Sequence, residues 1–572
     1  MSTTALPGDF SDQDHSSSVP SAVSDMLTRG VAILASMKLT CILFLLGMFV
    51  VFVGSLAQAR RDVWLVIDEY FRVYWAWVDV ADFFPPSMFP GLVGFDWDSL
   101  GLLRWIPFPG GWTIGWIMLA NLLAAHMLRF RILAVGGRLT AGISTLVIGA
   151  LLTYGVIRTG NQQTGVDSAN TLLSPLQIWY LMLTLLAVSA AIPIATALIR
   201  KSVSRPERLL NGAIGVTLGA VLMYFVFGGE DARLNLSSMR ILWQLLKGTA
   251  CAVVLLMGCR LLFDKRGGIV LLHIGVALLM ISELQVGFNA EENMLGLAEG
   301  QSSRYITDRR ERELAVITRQ DDGKEKVITI PESMLTNAAQ SESDTGRIID
   351  AASLPFRIRV DRLIRNSRLR SRLPGEEKLA TTGLGTFVTP IELDPVNGMN
   401  NSHDSSTLQI ALLDRDGDQQ IQQLLLNQDV SEMRTVPIAE QADVNGVTYS
   451  FYLRSQRNYR DWEAKLIDVS RTNYIGTSTP KDYRSRIVLT DRETGEENEF
   501  TVWMNNPLRY KGETFYQTSY YQAPDGTEMT SLSVVRNSGW MLPYIACMIV
   551  AVGMFAQFGQ TLSRYLARFE RG

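Results

Sequence analysis

Four histidines and four cysteines hold most of the reactive chemistry available to this 572-residue chain, and their surroundings divide them. His15 lies in a leader rich in Ser and Asp, and His403 in the polar run NNSHDSS, where a solvated ring is the ordinary outcome. His126 and His273 lie inside apolar runs instead. His273 follows Lys265 and Arg266 by about seven residues, roughly 10 Å along a helix. An ionisable ring at that depth in hydrocarbon is costly and marks a functional position. Neutral imidazole is a common axial ligand of haem iron, while the structural alternative is an interhelical hydrogen bond to a Ser or a backbone carbonyl. His126 stands three residues before Arg129, where the interface makes a polar ring cheap. It shares a membrane half with His273, so the two could ligate one metal if their helices touch.

The remaining candidates are weaker. Cys41, Cys251, Cys259 and Cys547 all sit in apolar runs, so the long polar segment has neither a disulfide framework nor a CxxC pair, and thiol chemistry is not expected. Glu283, near the outer end of the His273 run, reads as a headgroup contact or as a proton-relay or haem-propionate neighbour. Arg365, Arg368, Arg370 and Arg372 read as a solvated loop or as a site for propionates or an acidic partner. GGRLTAG lacks the Lys-Ser/Thr ending of a phosphate loop. There is no nucleophile–base pair.

The elements that must position these groups are membrane helices. Apolar runs at about 31–57, 111–128, 139–158, 176–199, 209–228, 241–262, 267–288 and 539–560 each approach the roughly 20 residues that cross hydrocarbon. Arg129, Arg131 and Arg138 follow the second run, Arg200, Lys201, Arg205 and Arg208 the fourth, Lys265 and Arg266 the sixth, and Arg564, Arg568 and Arg571 the eighth. All four clusters fall on one side if all eight runs span, which predicts both termini cytoplasmic. The resulting plan is a disordered cytoplasmic tail over 1–30, a first transmembrane helix over 31–57 and an extracytoplasmic aromatic loop over 58–110. Transmembrane helices two to seven follow over 111–288, then an extracytoplasmic domain over 289–538 and the last helix with a basic tail over 539–572. The fold class is membrane α-helical with a large extracytoplasmic antiparallel β domain. That domain is read from short alternating runs such as FRIRVDRLI and TLQIALLD, separated by Asp-Gly, Asn-Gly and Lys-Gly turns. Roughly ten strands in a sandwich or open barrel-like sheet are expected, with 364–382 and 394–406 as loops. The net charge of −3 gives no reason to expect nucleic-acid binding.

The segment 480–522, PKDYRSRIVLTDRETGEENEFTVWMNNPLRYKGETFYQTSYYQ, resembles the ResB-like (CcsB-type) family of system II cytochrome c biogenesis. The matching residues are Tyr483, Ser485, Asn506, Pro507, Leu508, Gly512, Tyr516, Gln517, Ser519 and Tyr520. The first span, with Lys38, Leu39, Gly54 and Gln58 at its ends, is similar to the family too, as is the histidine-bearing run GGIVLLHIGVALLMISELQVGF leading to LGLAEGQ. The family's usual layout has about four spans, so the four over about 139–262 look like an insertion.

The resemblance implies a membrane component that handles haem b and apocytochrome c for covalent attachment outside the cytoplasmic membrane. It implies a CcsA (ResC)-type membrane partner, a thioredoxin-like thiol reductase and contact with lipid, and a subunit of a synthase complex rather than a stand-alone enzyme. His273 matches the family's membrane histidine, thought to share a haem with a histidine of the partner. Two other classes stay open: a membrane transporter using the inserted spans, and a non-haem surface receptor or scaffold.

Overall fold

The computed structural model describes residues 29–161, 174–200, 205–229, 232–234, 236–320, 322–396, 404–415, 419–432 and 438–569. His15, His403 and the tail over residues 1–28 lie outside the described residues.

Seven stretches are long and apolar enough to cross a membrane by length and composition, and one of them, the 49-residue Ile241–Asn289, holds two helices. The long helices are α1 (Met37–Ala57), α2 (Gly111–Arg129), α3 (Gly137–Asn161), α4 (Pro175–Ile199), α5 (Arg205–Phe227), α6 (Leu236–Phe263), α7 (Gly267–Asn289) and α8 (Leu542–Phe569). α6 and α7 separate at Asp264, which takes a positive φ of 52° and reverses the chain. At the start of the first run a break at Ser36 caps α1, its hydroxyl accepting from the Lys38 amide at 3.2 Å.

Small residues bring the helices close, as they do where hydrocarbon supplies no hydrophobic drive for association. A Cβ on Gly275 of α7 would lie 2.9 Å from the Val550 backbone nitrogen of α8, and one on Gly553 would lie 2.6 Å from the Leu272 nitrogen. Gly142 and Gly149 likewise bring α3 onto Leu262 and Leu255 of α6. α4 and α5 pair where Gly215 meets Ile194.

The aromatic loop between α1 and α2 is folded. Strands β1 (Trp75–Asp79) and β2 (Trp105–Pro109) form a hairpin whose inner side packs on the end of α1, burying Val53, Ala57, Tyr70, Ala76 and Val78 together. Trp75 and Trp77 remain exposed.

The β domain is an insertion between α7 and α8. Its strands are β3 (Glu291–Ala298), β4 (Ser302–Arg319), β5 (Glu325–Pro331), β6 (Ile348–Ile349), β7 (Phe356–Ile364), β8 (Ser367–Ser371), β9 (Val388–Glu392), β10 (Thr407–Asp414), β11 (Gln420–Asn427), β12 (Glu440–Val444), β13 (Val447–Asn473), β14 (Pro480–Asp491), β15 (Glu497–Trp503), β16 (Leu508–Tyr510), β17 (Glu513–Gln522) and β18 (Glu528–Arg536). They exceed the expected ten because several hairpins are short. A ten-stranded antiparallel sheet runs β15-β14-β13-β4-β3-β18-β17-β16, with β12 on β13 and β5 on β4. A four-stranded sheet runs β11-β10-β7-β6.

Two cores result, and β4 and β13 cross both. The first sandwiches the smaller sheet against the far half of the larger one: Phe356, Ile358 and Val360 alternate inward from β7 onto Leu314, Phe451 and Leu453. Each such side chain contributes about 1.5–3 kcal/mol by leaving water. In the second core the large sheet curls on itself around Leu295, Ile306, Trp462, Ile487, Phe515 and Val534. The turns follow from sequence. Asn445-Gly446 and Lys511-Gly512 both have positive φ at the two central positions, 55° and 77° and then 46° and 81°, the pattern of two-residue hairpins with a type I′ turn.

One expectation fails here. Ser367–Ser371 is not loop but strand, paired with Val388–Glu392 in a separate hairpin. Its alternation was hidden by its basic composition, and the partner strand lies well downstream.

Candidate functional site

α2 and α7 bring His126 and His273 together. The rings meet edge-on, with centroids 4.7 Å apart and planes at 78°. Both lie close to the end of the bundle remote from the β domain, because His126 is in the last turn of α2 and His273 in the second turn of α7. Backbone and side chain tie these ends: Arg266 donates to the Arg129 carbonyl at 3.4 Å, and Arg129 donates to the Ala35 carbonyl at 2.9 Å.

The His126 tautomer follows from its partner. Nδ1 lies 2.9 Å from the Leu122 carbonyl, which can only accept, so Nδ1 carries the proton and Nε2 keeps its lone pair. A carbonyl on the far nitrogen is the usual support of a metal-ligating histidine. His126 Nε2 is buried with no hydrogen-bond partner, and so is His273 Nδ1. Buried polar atoms without partners are uncommon and call for a role. Phe130 stacks on His126 at 4.6 Å and also faces His273 at 6.2 Å, forming an aromatic wall beside the pair. A serine or backbone-carbonyl bond for His273 is not among the described hydrogen bonds.

The donor set suits an iron or another soft to borderline cation. Their rings are in contact at 4.7 Å, so the pair would have to part for one metal ion to be held by both, or one ring would serve alone.

α2 is itself positioned by Asn121, which sequence reading missed. Its amide donates to the Ser36 carbonyl at 3.2 Å and, very closely, to the Leu34 carbonyl, while its oxygen accepts from Thr40 at 2.8 Å. A lone Asn within an apolar run was the available signal.

The other candidates do not join this site. Glu283 lies near the opposite end of α7, exposed, with Arg72 at 3.8 Å. Of the arginine cluster, Arg370 is held by Glu376 at 2.9 Å and Arg372 by the Thr386 carbonyl at 3.0 Å, while Arg368 is exposed. Arg370 in turn draws the Glu376 carboxyl down to about 2. Arg365 bonds Asp404 at 3.2 Å and lines a cleft of about 320 Å³ against Arg60, Arg104 and Trp105 of the aromatic loop.

That loop hides a charged network that sequence reading also missed. Tyr70, Asp79 and Asp82 are nearly fully buried. Tyr70 donates to Asp82 at 2.5 Å, Arg104 donates to both Asp79 oxygens, and Arg61 reaches Asp79 at 3.1 Å. Burial pushes the Asp79 carboxyl up, but Arg104, the Ala81 amide and Arg61 outweigh it and hold it below its ordinary value. Burial dominates at Asp82 and raises it. Arg61 also pairs with Glu69 and Arg104 with Asp98, so two arginines tie four carboxylates together, which reads as a structural lock on the hairpin.

In the β domain, the residues singled out over 480–522 stitch the ends of the curled sheet. Ser485 of β14 is fully buried, with Gln517 of β17 at 2.7 Å and Thr530 of β18 at 2.7 Å. Tyr483 stacks parallel to Tyr520 across the same gap at 6.2 Å. Nearby, Glu513 accepts from Trp462 Nε1 at 2.9 Å and from Arg460 at 2.6 Å.

The match to a known family falls on this part of the chain. Residues 459–530 match the model of the ResB-like family, so the segment from β13 to β18 is ResB-like. The chain is also 30% identical over 92 residues to Protein NrfI of Wolinella succinogenes, an alignment covering 16% of this chain and 10% of that protein. The match thus spans about a tenth of the relative's length.

Proposed function

Starting from a membrane-helical chain whose β domain carries a ResB-like segment, we propose that the protein is a component of system II cytochrome c maturation. In this reading haem b is cargo, held by His126 and His273 on its way across the membrane, and the β domain receives or orients apocytochrome c. The chain acts with a CcsA (ResC)-type membrane partner and a thioredoxin-like thiol reductase, and does not complete attachment alone. The bond to be made joins haem vinyl groups to the two thiols of a CxxCH segment. Both termini lie in the cytoplasm, so that the β domain is extracytoplasmic.

The observation that carries the reading is the histidine pair, with one unpartnered buried nitrogen on each ring, in a chain with a ResB-like segment. His126 offers Nε2, with Nδ1–H anchored on Leu122 to fix the ring. Phe130 excludes water from one side. His273 offers a second nitrogen, either to the same iron or to one completed by the partner. In the β domain, β15 pairs only with β14 along the large sheet and leaves an edge on which an extended peptide could add.

The test is the absorption spectrum of the full chain purified in mild detergent, oxidised and reduced, for wild type, His126→Ala and His273→Ala. A low-spin b-type spectrum lost in His273→Ala supports the reading. Loss in His126→Ala as well assigns both ligands to this pair, while its retention in the chain purified alone removes His126 from the ligand set. A chain colourless both alone and co-expressed with the partner ends the haem reading.

A further inference from the structure

At the end of the bundle remote from the β domain, a cleft of about 610 Å³ opens between the last turn of α6, the α6–α7 turn and the stretch of α8 from Phe555 to Arg564. We propose that this cleft binds the phosphate headgroup of an anionic lipid. The inference is independent of the haem reading and requires only that the helices cross a membrane.

Three cations surround the cleft: Arg260 from α6, Lys265 from the turn and Arg564 from α8. Two carboxylates stand at its wall: Asp264 faces Arg138 at 3.7 Å, and Glu207 accepts from Ser563 at 3.2 Å. Among the described residues Arg260 and Lys265 have no ion-pair partner, and Arg564 touches only the Gln560 side chain at 3.3 Å. Three cations against these two carboxylates leave the lining net positive, and the donors of Arg260 and Lys265 are available. Three cations from three elements around one open cleft can share an anion between them, whereas the same charges spread over a surface would only attract one loosely.

Depth turns an anion site into a lipid site. α8 starts at Leu542, so Arg564 lies about 33 Å along it, close to the roughly 30 Å thickness of hydrocarbon. Its guanidinium stands in the headgroup layer. Phe555 lies about 13 Å deeper on the same cleft wall and is 81% exposed, a position for an acyl chain. Basic pockets between transmembrane helices at such an interface are the form that headgroup sites take. The floor is open at Gly559, where a Cβ would meet nothing within 4 Å, so the site can be filled by substitution without strain.

The experiment is native mass spectrometry of the detergent-solubilised full chain, titrated with phosphatidylglycerol or phosphatidylcholine. The expected result is a preference for phosphatidylglycerol of about tenfold. R260Q/K265Q/R564Q should abolish it. G559L, which keeps every charge but occupies the floor, should reduce it severalfold. R131Q/R200Q/R568Q, three exposed cations at the same end but outside the cleft, should leave it intact. Equal loss in that control would replace the site by a diffuse field and overturn the proposal, as would full binding by G559L. Displacement of phosphatidylglycerol by millimolar inorganic phosphate would make it a soluble-anion site and overturn it also.

Discussion

His126 and His273 touch edge-on at 4.7 Å, yet neither ring uses its second nitrogen to hold the fold together. A buried polar atom without a partner costs stability, and replacing it by an apolar group of similar size is neutral or stabilising. His273→Leu is therefore predicted to melt at or above the wild-type temperature in the absence of haem. Thermal unfolding of the detergent-solubilised apo chain measures this. A loss of several degrees would assign the ring a structural task.

Gly275 allows α7 and α8 their close approach. Its replacement by Ala places a methyl against the Val550 nitrogen, which belongs to backbone and cannot rotate away. The expected cost is about 1–3 kcal/mol. Gly212→Ala in α5, where a Cβ meets nothing within 4 Å, serves as the comparison and should not destabilise. Equal melting of the two variants would contradict the packing argument.

Glu513 is buried between Arg460 and the Trp462 indole. Glu513→Ala strands both donors and is expected to cost about 3 kcal/mol, whereas Glu513→Gln keeps an acceptor for one of them and should cost less. Limited proteolysis of the full chain, followed over β13–β18, reads the difference. An alanine variant as resistant as wild type would show that the carboxylate is not a support.

The Arg370–Glu376 pair sets a pH dependence. Arg370, with the Leu373 amide, lowers the Glu376 pKa from its ordinary value near 4.5 to about 2. A depressed carboxylate contributes stability that is present above its unfolded pKa and is lost as pH falls through the folded one. Protection of the β8–β9 hairpin amides should hold from pH 7 to about 5 and decline between about 4.5 and 2. In Arg370→Gln the Glu376 titration, followed by NMR, should return toward its ordinary range, and an unmoved titration would refute the pairing.

Much of this architecture is legible in the chain itself because its causes are local. An apolar run near twenty residues has few fates other than a span, and Asn445-Gly446 and Lys511-Gly512 name their hairpins. What stayed hidden depends on distant partners. The five residues Ser367–Ser371 become a strand only because Val388–Glu392 lies beside them. The unbroken course of β13 through two cores rests on bends where its register with β4 shifts, near Arg457 and Ala464. Depth along a helix can be counted from Arg129 and Lys265, so His126 and His273 could be placed in one layer. Which helix faces meet cannot be counted, since it is decided by contacts such as Asn121 on Leu34 and glycine on backbone.

The β domain leaves the membrane on two stems that never separate. α7 runs through Asn289 and Ala290 directly into β3, β18 returns through Gly539 into α8, and Glu291 pairs with Arg536 where they cross. Below that point the helices are clamped through Gly275 and Gly553. Such a double post resists swivelling, since turning the domain would shear a strand ladder and a helix contact at once. It transmits axial motion instead. With α8 clamped to it, α7 can shift only together with α8 and the strands they carry, and the histidine layer and the curled sheet would share one mechanical rod.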